Sequence, residues 1–220
     1  MENRPLVSVC IPTYNRGKIL VERAIKSVLN QTYKNFEIIV VGDHCTDDTE
    51  ERIKALNDKR IIFMNLKERG LGKYPLDNKW QLWNVAGVVP RNKALELSSG
   101  SWIAPLDDDD EFYDYHIEAL LNYAIQNNYD MVYSKVLSEG SPGNWNGVIG
   151  SEPLQCGAVT HLSVLYSSKF KYLKYDVESW KLNEPADWNL WRRMKEAGAK
   201  IGFLNRIVGK HYLERTQINN

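Results

Sequence analysis

The sequence predicts an α/β fold with a Rossmann-like, mostly parallel, doubly wound central sheet flanked by helices. Three observations carry that prediction. Between residues 7 and 137, short β-rich runs alternate with segments of helical spacing, the pattern of parallel strands joined by crossover helices. The run FEIIVV (36–41) is almost wholly apolar, as a strand covered on both faces must be. The runs also stop abruptly in turn-forming or polar residues: VSVCI (7–11) at Pro12, FEIIVV at Gly42-Asp43.

Taken in order, VSVCI is the first strand. Residues 18–30 place Ile19, Leu20, Ala24, Ile25, Val28 and Leu29 at helical spacing. After the second strand, Thr46 with Asp47, Asp48 and Thr49 reads as a capped helix start running to about Leu56. RIIFMNL (60–66) is a third strand, and 67–84 is irregular, with Gly70, Gly72 and Pro75. A helix over about 90–99 leads into SWIAPL, a fourth strand. A helix around 114–126 and the strand MVYSKVL (131–137) follow. Beyond Leu137 the stretch 138–153 is rich in Gly, Pro, Ser and Asn and reads as a loop, and 158–166 is strand-like. Pro185 opens a helix that Gly198 closes, and a last strand-like run, IGFLNRIVGKHYL, comes after it.

At 220 residues and 43% hydrophobic, the chain suits one domain over 1–220, with a sheet-rich part, 1–137, and a smaller part, 138–220, packed on it. Lys plus Arg (28) balances Asp plus Glu (28), so no global field recruits nucleic acid. Cys10, Cys45 and Cys156 are odd in number and widely spaced, which fits reduced thiols rather than a disulfide framework or zinc site. The N-terminal segment lacks a signal-peptide pattern, and no apolar run approaches the ~20 residues of a membrane span. The expectation is a cytoplasmic protein, with loose peripheral attachment at the inner membrane face left open.

Open parallel sheets bind ligands beyond the carboxyl ends of their strands. Strand one ends in PTYNR (12–16), strand two in GDHCTDD (42–48), and strand four in DDDDE (107–111). Thr13, Tyr14, Asn15, Asp43 and the acidic run therefore arrive at one edge. Phosphate-loop patterns fail there. No GxGxxG follows the first strand, and before Gly72-Lys73 a P-loop would need glycine at Lys67 and Ser or Thr at Tyr74. An EF-hand fails at Phe112, where glycine is needed. Carboxylate oxygens suit Mg²⁺ or Mn²⁺, and in an extended stretch Asp107 and Asp109 share a face. The plainer alternative is that Asp108 to Glu111 charge the N-terminus of the next helix.

VSVCIPTYNR, FEIIVVGDHCTDDT and RNKALELSSGSWIAPLDDDDEF, in this order and spacing, resemble the family 2 glycosyltransferases of the GT-A fold, most strongly over residues 6–126. The resemblance implies transfer of a sugar, with inversion, from a nucleotide-diphosphate donor, UDP-sugar foremost. The acceptor it implies is a hydroxyl of a glycan or lipid-linked saccharide. Pro12, Thr13 and Tyr14 match the segment around base and ribose, with Asn15 beside them, and Asp43 matches the acid that hydrogen-bonds the base. Asp107 and Asp109 match the DxD that holds Mn²⁺ or Mg²⁺, with Asp107 or Asp108 facing ribose or metal. Arg91 and Asn92 match a pair that supports the donor. In EPADWNLW, Asp187 matches the general base, although Ala186 stands where the family has a second acid.

His211 matches a histidine that some members fold back toward the metal. His116 is placed to support the acidic run, and His161 to lie near an acceptor wall, whereas His44 reads as incidental. Trp80, Trp83, Trp145 and Trp188 are candidates for stacking on sugars, core packing being the ordinary alternative. Two rivals stand beside this reading. A nucleotidyltransferase would need a glycine-rich basic loop where PTYNRGK has one glycine, and a metal-dependent carbohydrate-binding module would not turn over.

Overall fold

The computed structural model describes residues 4–74, 78–141 and 143–213. One nine-stranded sheet runs through them: β1 (Val7–Thr13), β2 (Phe36–Gly42), β3 (Ile61–Asn65), β4 (Trp102–Pro105), β5 (Glu111–Phe112), β6 (Met131–Ser138), β7 (Gly147–Ile149), β8 (Val164–Ser167) and β9 (Ile201–His211). The order is β3-β2-β1-β4-β8-β6-β9-β5, with β7 on the side of β6. Strands β1 to β4 are mutually parallel, β6 and β9 run the same way, and β5, β7 and β8 run against them.

Both faces of the central strands are apolar and both are covered. Val7, Val9 and Ile11 of β1 with Ile38 and Val40 of β2 face one core, beneath α1 (residues 17–29) and α5 (His116–Gln126). Cys10, Ile39 and Val41 face the other, beneath α4 (Val88–Leu97) and α6 (Ala186–Glu196). Two shorter helices, α2 (Thr49–Ala55) and α3 (Lys79–Val85), complete the set among the described residues. The almost wholly apolar β2 pattern thus has the cause expected of it, burial on two sides. Within α1 the segment Leu20–Ile25 is wound as a π-helix.

Four details depart from the sequence reading. Only Val164–Ser167 of 158–166 is strand, because His161–Ser163 forms a 3₁₀ turn closed by a Thr160/Ser163 capping box. The loop 138–153 contains β7, which pairs with Val136, Leu137 and Ser138. The stretch 67–84, read as irregular, holds all but the last residue of α3, and its Pro75 lies outside the described residues. Residues 107–110 form a turn, with Asp110 N–H donating to Asp107 O at 3.2 Å, rather than extended chain. The acidic run does not cap the next helix either, since β5 intervenes and α5 begins at His116.

Trp191 is the largest fully buried side chain among the described residues. It packs at ring distances of 5.6 to 6.5 Å against Tyr166, Tyr175 and His161, joining α6 to the sheet. A cavity of that size is costly, and aromatic-to-alanine changes in cores lose about 3–5 kcal/mol. Trp191→Ala is expected to lower unfolding free energy by about that amount in urea titration.

Candidate active site

The parallel strands β1, β2 and β4 end together. Thr13, the last residue of β1, is in register with Gly42, one residue before Asp43, and Cys10 is in register with Pro105, two before Asp107. Beyond these ends lies a cleft of about 300 Å³. Pro12, Thr13, Tyr14, Asp43 and all of Asp107, Asp108 and Asp109 line it. So do Arg16, Arg69 and Arg91, which pair with these carboxylates, and His211, which pairs with Asp110 beside them.

Every acid of the run from Asp107 to Asp110 carries a cationic partner. Arg91 Nη2 donates to Asp107 Oδ1 at 2.8 Å, and Arg16 Nη1 donates to Asp108 Oδ1 at 3.0 Å and Asp109 Oδ2 at 2.7 Å. His211 Nδ1 lies 3.0 Å from Asp110 Oδ2. Thr13 Oγ1 also donates to Asp108, at 2.7 Å, and Tyr212 N–H to Asp110, at 3.0 Å. From the other side, Arg23 Nη1 donates to the Asp109 carbonyl at 2.6 Å while its guanidinium lies 3.5 Å from the centre of the Tyr212 ring. The site is therefore not a negative pocket, as the bare run of acids implies, but a charge-compensated one. Burial is the reason: Asp108 and Asp110 are 7% and 1% exposed, and a carboxylate out of water needs a partner.

Titration follows from the same contacts. Burial pushes Asp108 up to about 6, with Asp109 adding to the rise and Arg16 and Thr13 opposing it. Burial works against ionisation of Asp107 too, but His161 and Arg91 outweigh it and hold the carboxyl well below the usual range. Burial raises Asp110 to about 7, against the pull of His211. Burial opposes charge on His211, yet the hydrogen bond and charge of Asp110 raise it to about 9. Of this pair the rise of His211 has the firmer cause, since the Tyr212 N–H also favours ionised Asp110. His211 thus stands at the cleft wall with its Nδ1 held on Asp110.

At the other end of the cleft, Asp43 is buried and accepts from Gly70 N–H at 2.7 Å, while Arg69 Nε lies 3.1 Å away. The Arg69 guanidinium sits 3.4 Å from the centre of the Tyr14 ring. An acid, a planar cation and an aromatic face thus meet where strand one and strand two end.

Three other expected residues, Asn15, Asn92 and Asp187, lie outside the lining of this cleft. Asn15 accepts from Thr46 N–H at 2.8 Å and ties two loops together outside this cleft. Asn92 clips the chain at Tyr175 through both its N–H and its carbonyl, each at 2.8 Å. Asp187 is half-buried in the first turn of α6, accepts from Trp188 N–H at 2.7 Å, and is not among the lining residues. Its charge nonetheless helps hold Arg91 protonated, as do Asp107 and Tyr175, against the effect of burial.

The histidines and tryptophans divide in the same way. His116 lies under the site, with Nδ1 3.1 Å from Val208 O, stacked 3.6 Å from Phe112, and does not touch the acids. His44 adopts positive φ, and His161 is buried 3.1 Å from Asp107 Oδ1, off the alignment of a hydrogen bond. Trp80 and Trp83 are exposed on α3, Trp145 meets Tyr212 edge-on, and Trp188 packs against the core. Arg16 and Arg69 are the site residues sequence reasoning did not assign, and His161, expected near an acceptor wall, sits beside Asp107. Only Arg16, inside PTYNR, carried a signal.

The acids fit a divalent metal in part. Among the described residues no three His, Cys, Asp or Glu side chains converge as a metal cage. Asp107 Oδ2 and Asp109 Oδ1 accept no hydrogen bond among those residues, leaving two hard oxygen donors on the cleft wall. Mg²⁺ is commonly held by one or two carboxylates, with substrate phosphate and water completing the shell.

Comparison with known proteins agrees with the strand-end geometry. The family described as Glycosyl transferase family 2 matches residues 8–74 and 83–194. The GalNAc(5)-diNAcBac-PP-undecaprenol beta-1,3-glucosyltransferase of Campylobacter jejuni is 36% identical over 138 residues, 61% of this chain and 39% of that protein. S. aureus TarS 1–349 in complex with UDP superposes with a TM-score of 0.71 at 18% identity, covering 94% of this chain and 60% of that one. The mannosyltransferase PcManGT from Pyrobaculum calidifontis, in complex with GDP-Man and Mn²⁺, gives 0.70 at 14% identity, covering 98% and 59%. The chain spans between 18% and 40% of the length of the first three curated relatives it matches.

His116 gives the site a pH dependence with a definite sign. Burial lowers it to about 3 from 6.5, and its Nε2 has no partner among the described residues. Below 6.5 the unfolded chain therefore binds a proton that the folded one refuses. Stability from this residue is complete above 6.5 and falls as pH drops from 6.5 toward 3, by roughly 1.4 kcal/mol per unit. His116→Gln is expected to flatten that part of the slope when urea midpoints are compared at neutral and acid pH.

Proposed function

The chain belongs to glycosyl transferase family 2, and we propose that it is an inverting glycosyltransferase acting on a nucleotide-diphosphate sugar. The observation that carries this reading is the arrival of Thr13, Asp43 and Asp107 to Asp109 from three parallel strand ends at one cleft also lined by arginines. Such a cleft suits a ligand with a planar base at one end and a pyrophosphate at the other. UDP is the donor nucleotide of choice, supported by the UDP complex of TarS, whose fold this chain shares. The acceptor is a hydroxyl of a glycan or lipid-linked saccharide, supported by the undecaprenol-linked name of the Campylobacter relative. A lipid-linked acceptor would draw the protein to a membrane surface, and no described helix is long and apolar enough to cross one. Residues 1–137 would bind donor and 138–220 acceptor, within one domain.

In this mechanism Tyr14, Asp43 and Arg69 hold the base, the ring by stacking and its edge by hydrogen bonds. Arg91 keeps Asp107 ionised and oriented, and protonated His211 faces the diphosphate as a fixed cation. Mn²⁺ or Mg²⁺ at Asp107 and Asp109, a reading supported by the Mn²⁺ complex of PcManGT, would supply Lewis-acid stabilisation of the leaving diphosphate. Asp187 accepts the proton of the acceptor hydroxyl as that oxygen attacks the anomeric carbon from the face opposite the diphosphate. The C–O bond to phosphate breaks in the same displacement, which inverts the configuration.

Incubation with a panel of nucleotide sugars and Mn²⁺ is expected to release nucleoside diphosphate from one of them. A carbohydrate-binding module would release none. Asp187→Asn is expected to keep donor affinity while turnover falls by about 10²–10⁴-fold, the usual contribution of a general base. Unchanged turnover would remove that role. Asp109→Ala should lose the Mn²⁺-dependent part of donor binding in calorimetry.

A further inference from the structure

We propose that Arg16 is an exchangeable counter-cation: it neutralises Asp108 and Asp109 in the donor-free cleft and gives up Asp109 when a divalent metal and the donor diphosphate arrive together. This rests on the metal and donor reading above and adds to it a residue with a defined task.

Three observations carry it. First, a single atom, Arg16 Nη1, bridges both acids, at 3.0 and 2.7 Å, and Arg16 is the one cation that contacts the Asp109 carboxylate among the described residues. Second, each acid has an anchor that does not depend on Arg16. Thr13 Oγ1 holds Asp108 at 2.7 Å, and Arg23 holds the Asp109 carbonyl at 2.6 Å, so the turn keeps its shape when the guanidinium leaves. Third, the Arg16 head stands where an incoming ligand would meet it. Its backbone is fixed at the start of α1, where its carbonyl accepts from Leu20 N–H at 3.0 Å, while its side chain remains 25% exposed at the cleft wall.

Two positive groups competing for one carboxylate make a linked equilibrium. Metal alone, taking the free Asp109 Oδ1, meets the guanidinium on Oδ2 of the same carboxylate, and the repulsion between the two cations opposes binding. Metal delivered with a diphosphate offers the released guanidinium a new anion in the same cleft, so the opposition is relieved. Arg16 thereby makes metal binding conditional on donor.

The test is calorimetric titration of Mn²⁺ into the full chain without nucleotide, then with UDP, for the wild type, Arg16→Gln and Arg16→Lys. Without UDP, R16Q is expected to bind Mn²⁺ about tenfold more tightly than the wild type, the scale of one partly buried charge pair. R16K, which keeps the charge, should stay within about twofold of the wild type. With UDP the gap between R16Q and the wild type should close. Thermal unfolding gives a second readout: Mn²⁺ without UDP should raise the Tm of R16Q by more than that of the wild type. Equal Mn²⁺ affinity of wild type and R16Q without UDP, with Mn²⁺–UDP binding intact, overturns the exchange and leaves the proposed function standing. Absence of Mn²⁺ binding in every protein, with and without UDP, overturns both.

Discussion

The structure turns on the cost of holding carboxylates out of water at the end of a strand. Asp108 and Asp110 are buried, and Asp107 is flanked by His161 and Arg91. An isolated buried charge is penalised by several kcal/mol, so the run is stable only if cations are brought to it. They come from far apart in the chain: Arg16 from the start of α1, Arg91 from α4, His211 from the end of β9. The acidic turn is therefore a point of assembly as much as a ligand site. It explains why the last strand is stitched across it, through Tyr212 N–H to Asp110 and the Tyr212 hydroxyl to Glu111.

The parallel strands and the charge network reinforce one another. Parallel pairing of β1, β2 and β4 sends all their carboxyl ends one way, so their polar terminations meet instead of scattering. The antiparallel strand β8 then carries the chain from the 3₁₀ turn at His161 back across the sheet beside β4. Through His161 the cleft is continuous with the Tyr175 and Trp191 packing of the second core. Asn92 pins Tyr175 by its backbone, and Arg91, the next residue, pairs with Asp107. One turn of α4 thus sets both the floor of the cleft and the position of its first acid.

Much of this was legible in the residues. Apolar runs stopped by Pro12, by Gly42 and by the acidic stretch located three strand ends, and parallel topology did the rest. What stayed hidden was whatever depends on pairing across the chain. Strand alternation put Asp107 and Asp109 on one face, whereas a turn closed from Asp110 N–H to Asp107 O brings them, with Asp108, to the cleft. Asn15 read as a donor-site residue from its place at a strand end, and Asn92 as donor support from the family resemblance. Here they satisfy loop backbone, a use that leaves the same trace in sequence. Arg69 has no local pattern at all, because its partners Asp43 and Tyr14 lie 26 and 55 positions away.

Charge balance also bears on how such a cleft can accept a highly charged ligand without a strong field of its own. Four acids, Asp43, Asp107, Asp108 and Asp109, line the cleft with three arginines and His211, and buried Asp110, the partner of His211, makes a fifth. A pyrophosphate alone would leave this wall too negative, and a divalent cation alone too positive. The two together cancel, so the pair can be exchanged into the site with little change in local charge. A purely acidic pocket would instead bind cations from solution whether or not donor was present, and a purely basic one would hold product diphosphate against release. The zero formal net charge of the whole chain fits the same logic: selectivity resides in matched local pairs, not in long-range attraction.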